Sequence, residues 1–183
     1  MQRNYETERL MLRTLNTDSA QAVLAYFDRN RAFLEPWEPT RCADFYTKAY
    51  QRGVLEAEQT EMDAGRMLKL WLFRRDDPKR VIGSLSFSGI TRGSFLSCFM
   101  GYRLDEQERG KGYMPEAVLR GTGVMFTEFG LHRIEANVIP RNAASLRVVE
   151  KAGFEPEGIS RRYLKINGVW EDHVHMVLLN DAM

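Results

Sequence analysis

The sequence predicts an α+β fold, a central mixed and mostly antiparallel sheet of about seven strands flanked by helices. Three observations point there. Between Met67 and Leu104, apolar strand-like runs are separated by short turn signals, a pattern that folds as an antiparallel meander. From Phe99 to Gly130 the chain reads strand, Gly-x-Gly loop, helix, and then a further strand follows, the order that makes the two strands parallel neighbours. Near the end, Asn167-Gly168 divides two apolar runs and signals a tight hairpin.

Taken in order, Glu8–Arg13 is the first strand, with Leu10 and Leu12 on one face. Asn16-Thr17-Asp18 offers N-cap side chains for a helix through Phe27, whose apolar side is Ala22, Val23, Tyr26 and Phe27. Arg31 to Pro39 holds two prolines around Trp37 and reads as a fixed loop without regular structure. Asp44 to Glu61 has helical spacing. Met67–Arg74 is a strand apolar on both faces, Asp76-Asp77-Pro78 a turn, Val81–Ser88 the return strand and Gly89–Ser94 a second turn. Pro115–Phe129 is a helix, in which Gly121 and Gly123 each cost up to ~1 kcal/mol relative to alanine and so predict close packing. Arg133–Ile139 is a strand, Asn142 caps a short helix ending at Gly153, and Ile159–Ile166 and Trp170–Leu179 are the last two strands.

At 183 residues, 44% apolar and 28% charged, the chain has room for one domain over 1–183 with a sizeable core. A net charge of +1 gives no global field for nucleic acid. Cys42 and Cys98 form no metal-type or redox-type pair, so a reduced, cytoplasmic setting is expected. No apolar run approaches the ~18 residues of a membrane span, and the N-terminus has no apolar signal region.

The chemistry centres on Gln107-Glu-Arg-Gly-Lys-Gly112. Glycines let a backbone approach an anion closely, and the following helix start contributes free N–H groups and a positive dipole end. Gly112 stands where a P-loop needs Ser or Thr, and Pro115 stands where a dinucleotide fingerprint needs its third glycine. The stretch therefore reads as a diphosphate cradle of another kind.

Gln107, Gly110 and Gly112 match the Gln/Arg-x-x-Gly-x-Gly/Ala signature of the GCN5-related N-acetyltransferases, the GNAT family, which this chain resembles. Asn142-Ala-Ala-Ser145 and Glu150-Lys-Ala-Gly-Phe154 are similar to the segment that lies beside the pantetheine arm in that family. Thr7–Arg13, Phe33–Pro39, Arg92–Phe95 and Tyr163–His173 resemble the RimJ/RimL-type ribosomal-protein-alanine acetyltransferases. The resemblance implies a GNAT fold, acetyl-CoA as cosubstrate without a metal, and direct attack of an amine on the thioester.

Site residues follow from it. Tyr102, Arg103 and Leu104 on the strand, Arg109, Gly110, Lys111, Gly112, Tyr113 and Met114 in the loop, and Asn142 and Ser145 are expected to hold the coenzyme. The backbone N–H near Leu104 is expected to take the developing oxyanion. The family's usual acid, a tyrosine seven residues after the asparagine, is Val149 here, so Ser145 is the expected proton donor, with Tyr102 as a second candidate. Phe99–Leu104 carries no carboxylate, which leaves Glu35 and Glu38 around Trp37 as candidate bases, with Glu135 as either a base or a structural partner of Arg133. An N-terminal amine, pKa ~7.7–8.0, needs a weaker base than a lysine does. His173 and His175 lie on one face of the last strand and fit packing or a hydrogen bond near the acceptor better than metal binding. The expected acceptor is a ribosomal protein's N-terminal alanine, with a small amine as the alternative and a non-catalytic coenzyme-binding module as a third reading. No direct nucleic-acid or membrane partner is expected, and the protein is expected to be a monomer or homodimer.

Overall fold

The computed structural model describes residues 3–182. Among them, one sheet holds eight strands: β1 (Asn4–Glu6), β2 (Leu10–Arg13), β3 (Met67–Arg74), β4 (Asp77–Thr91), β5 (Ser97–Leu104), β6 (Arg133–Val138), β7 (Glu155–Ile166) and β8 (Val169–Leu179). Four α-helices cover it: α1 (Ala20–Leu34), α2 (Lys48–Asp63), α3 (Tyr113–Thr127) and α4 (Ala143–Lys151).

The additional strand is β1, too short for alternation to show in the sequence and held by antiparallel pairing to β2. Helix α1 runs past Phe27 to Leu34, because Asn30 and Leu34 continue the buried stripe of Val23, Tyr26 and Phe27. Consequently Arg31–Leu34 is helical rather than loop, and Glu35–Trp37 forms a 3₁₀ turn with Pro36 in its first positions. Ala43–Tyr46 is a separate 3₁₀ turn, and α2 starts beyond it at a Thr47 cap whose hydroxyl accepts from the Tyr50 N–H at 3.2 Å. The β3–β4 turn falls at Arg75-Asp76, which puts Pro78 inside β4.

Strand order is β1-β2-β3-β4-β5-β6-β8-β7, so β8 lies between β6 and β7. All neighbours are antiparallel except β5 and β6. That parallel pair matches only Ser97 with Arg133, Cys98 with Ile134 and Phe99 with Glu135. Beyond Phe99 the two strands diverge, and the sheet forks.

The two faces differ in character. Leu68, Leu70, Leu85, Phe87, Met100, Ile134 and Met176 pack with α3 residues Met114, Ala117, Val118 and Met125 into the larger core. Gly121 permits this contact: a Cβ there would lie 2.4 Å from Leu85 Cδ2. Gly123 has open space instead, so close packing holds for one of the two glycines. On the opposite face Trp71 and Phe73 pack with Val23, Tyr26 and Phe27 of α1 and Leu55 of α2.

Candidate active site

The acidic corner Asp105-Glu106 anchors the glycine loop. Asp105, almost fully buried, accepts from Arg29 Nε at 2.6 Å, Arg80 Nη2 at 3.0 Å and the Gln107 N–H at 3.0 Å. The Glu106 N–H donates to Asn30 Oδ1 at 2.9 Å, which ties the loop to α1. Gly110 and Gly112 adopt φ +75° and +81°, a region costly for residues with a Cβ, and Gly112 is the N-cap of α3. Among the described residues, the backbone N–H groups of Gly110, Lys111, Gly112, Tyr113 and Met114 have no protein hydrogen-bond partner. A row of free donors at a helix start suits a diphosphate.

The two loop cations do different things. Lys111 Nζ pairs with the buried Glu108 at 2.8 Å, while the Arg109 guanidinium stacks over Phe33 at 5.1 Å. A cation that sequence reasoning passed over, Arg9, holds the loop: its Nη1 donates to Lys111 O at 2.8 Å and its Nε to Glu116 Oε2 at 2.7 Å. No local signal separates Arg9 from any exposed arginine at a strand start.

Past the fork, β5 presents a free edge. The Asp105 N–H donates to Ile82 O on β4 at 2.7 Å. Because strand N–H groups alternate sides, those of Leu104, Tyr102 and Met100 turn toward the gap. Across it, Asn142 caps α4, its Oδ1 accepting from the Ser145 N–H at 3.1 Å. The Tyr102 hydroxyl donates to Ser145 O at 2.9 Å and stands 2.7 Å from Ser145 Oγ. Burial pushes the Tyr102 phenol up to about 12, with the Ser145 hydrogen bond opposing. The two predicted proton donors are thus one hydrogen-bonded pair. Val149 is fully buried in the core.

Arg103 points to the other face, where it ion-pairs with Glu38. Glu38 also binds Arg41 at 2.6 Å. Burial would raise the Glu38 carboxyl, but Arg103 and Arg41 outweigh it and hold it below the usual range. A carboxylate occupied in this way is a poor base. Glu35 is exposed and lines a pocket of about 100 Å³ together with Glu38, Arg31, Arg41, Tyr46 and Asn167. Lys69 is buried beside Ser84 Oγ at 3.2 Å, and burial, aided by the Arg103 charge, pulls its amine down to about 8.

The same face carries an exposed strip on β4 and β5. Ser86 and Ser88 of β4 are half-buried there, Gly101 of β5 is exposed and Phe99 is 46% exposed, while Ser84 is fully buried. Beyond the fork stand Glu135 and Asn137 on β6 and His173 and His175 on β8. The Asn167 N–H donates to Glu38 O at 2.8 Å, so the β7–β8 hairpin tip docks on the segment after α1. Arg141 reinforces the closure by pairing with Glu171 at 2.6 Å and stacking over Trp37 at 4.8 Å.

A forked β5–β6 pair with a free-donor glycine loop at its mouth matches the family model described as an acetyltransferase (GNAT) domain, over residues 9–155. The chain belongs to the GNAT family. Over 171 residues it is 42% identical to a Bacillus subtilis (strain 168) protein named probable N-acetyltransferase YjcK, covering 93% of this chain and 94% of that one. The crystal structure of the ribosomal-protein-S5-alanine acetyltransferase from Vibrio fischeri superposes with a TM-score of 0.92 at 36% identity, covering 98% of this chain and 97% of that one. Mycobacterium smegmatis RimJ in complex with CoA-disulfide gives 0.89 at 29% identity, with 95% and 83% covered. This GNAT chain is an N-acetyltransferase, and acetyl-CoA is its cosubstrate.

Proposed function

We propose that this enzyme acetylates the N-terminal amine of a protein that begins with a small residue, a ribosomal protein's alanine being the foremost candidate. The exposed strip on β4 and β5 carries this reading. The small side chains of Ser86 and Ser88 and the exposed Gly101 leave room for an extended chain end, where a small-amine enzyme needs a closed pocket. The likeness to the Vibrio fischeri enzyme supports the same acceptor class.

In this reading Gly110–Met114 N–H groups bind the diphosphate, and pantetheine lies in the fork against the gap-facing N–H groups of Tyr102 and Leu104. Leu104, Tyr102 or both take the carbonyl oxygen as charge develops there. Ser145 Oγ protonates the departing thiolate, and the Tyr102 hydroxyl replenishes it. Asn142 is a positioning residue that fixes the first turn of α4. The protein works in the cytoplasm as a monomer or homodimer.

Free-thiol release from acetyl-CoA tests the acceptor, using peptides that differ in their first residue beside free lysine, spermidine and an aminoglycoside. Turnover that tracks the first residue is the expected result. Turnover confined to the small amines would replace the reading with a small-molecule acetyltransferase, and coenzyme binding without any turnover would point to a binding module.

A further inference from the structure

Among the described residues, two buried polar atoms without a protein partner belong to register-paired residues beside the fork: Asn137 Oδ1 on β6 and His175 Nε2 on β8. His175 has a partner on its other nitrogen only, Nδ1 lying 2.7 Å from Glu135 Oε1. An ionised carboxylate accepts and cannot donate, so Nδ1 carries the hydrogen, and in the neutral imidazole Nε2 keeps its lone pair. The site therefore offers two unsatisfied acceptors, one on each strand, the complement of an ammonium group or of a water passing on a proton.

We propose that His175 is the base for the acceptor amine, working through one water shared with Asn137 Oδ1, and that Glu135 is its positioning residue. Placement supports this. Phe99–Glu135 is the last matched pair before β5 and β6 diverge, so Glu135 and His175 stand at the fork, on the sheet face opposite the core that Tyr102 packs against. The other carboxylates considered are less suited, Glu38 being held by two arginines and Glu35 lying exposed beside Arg31 and Arg41 in the pocket it shares with Glu38. His175 has a mixed surround. Arg133 of β6 lies 3.3 Å from Glu135 and 2.6 Å from Glu157 of β7. The Tyr163 ring of β7 is 5.0 Å away, and His173 of β8, whose imidazole burial pushes below its ordinary pKa, completes the set.

The step balances without any added reagent. One proton of the acceptor ammonium passes through the water to His175 Nε2 and on to solvent. The amine lone pair then forms the C–N bond at the thioester carbon, and the C–S bond breaks with its electron pair leaving on sulfur. The thiolate takes a proton from Ser145, and the proton still in excess on nitrogen makes good that loss.

The test uses whichever amine of the panel the wild-type enzyme turns over, so a wrong acceptor and a wrong base give different results. His175→Gln and His175→Leu are expected to lower kcat about 100-fold at pH 7 with the KM for acetyl-CoA unchanged. On an N-terminal amine the deficit shrinks toward pH 9, above the amine's own pKa of ~7.7–8.0. Glu135→Gln keeps an oxygen to accept from Nδ1 and is expected to lower kcat about tenfold with the KM for acetyl-CoA unchanged, the split that separates positioning from coenzyme binding. Both His175 variants staying within about threefold of wild type from pH 6 to 9, with acetyl-CoA binding intact to show folding, would overturn the proposal.

Discussion

The coenzyme side and the acceptor side of this sheet are built by opposite strategies. The coenzyme side uses backbone: five free N–H groups between Gly110 and Met114, two left-handed glycines and a helix start, all within a few residues. The proposed acceptor side uses side chains drawn from β4, β5, β6, β8 and the segment after α1. A diphosphate is the same in every reaction of this kind, and a fixed backbone cradle recognises it. Acceptors differ, and side chains can change without moving the fold.

Three experiments break or sharpen this contrast. The largest effect belongs to the acceptor side's buried ion pair. Glu38→Gln leaves Arg103 buried without its carboxylate and is expected to cost about 3 kcal/mol in denaturant unfolding, with diphosphate binding retained. The sign with pH follows from its lowered pKa. The wild-type contribution is full above the usual glutamate value and is lost as pH falls through the lower folded value, so the variant's deficit shrinks in acid. Next comes the gap itself. Ser145→Ala is expected to reduce kcat about 100-fold, and Tyr102→Phe less, since the tyrosine acts through the serine; single-turnover thiol release separates them. The smallest effect is on the backbone cradle: Gly112→Ala at φ +81° costs about 1–2 kcal/mol, read as roughly tenfold weaker acetyl-CoA binding by calorimetry with the acceptor KM unchanged. Equal losses on both sides from any of these would erase the distinction.

Legibility divides along the same line. The β3–β5 meander, the glycine loop, the Asn142 cap and the Asn167-Gly168 hairpin stand close to where sequence placed them, because each rests on contacts between near neighbours. Helix α1 outran its predicted end because Asn30, polar in the sequence, is buried and its amide donates to Tyr26 O at 2.9 Å. Lys111 and Arg109 looked alike as loop cations, and only the buried Glu108 and the Phe33 ring distinguish them.

By itself the sequence determined the sheet-and-helix class, the fork's glycine loop and the family, since positive φ, free N–H groups and strand period are local properties. Only the tertiary structure decided the acceptor face. Glu38 meets Arg103 across 65 positions, Tyr102 meets Ser145 across 43 and Glu135 meets His175 across 40. Those meetings depend on strand order and register, above all on β8 inserting between β6 and β7, and pairing between distant strands is set by burial of the whole sheet rather than by any one segment.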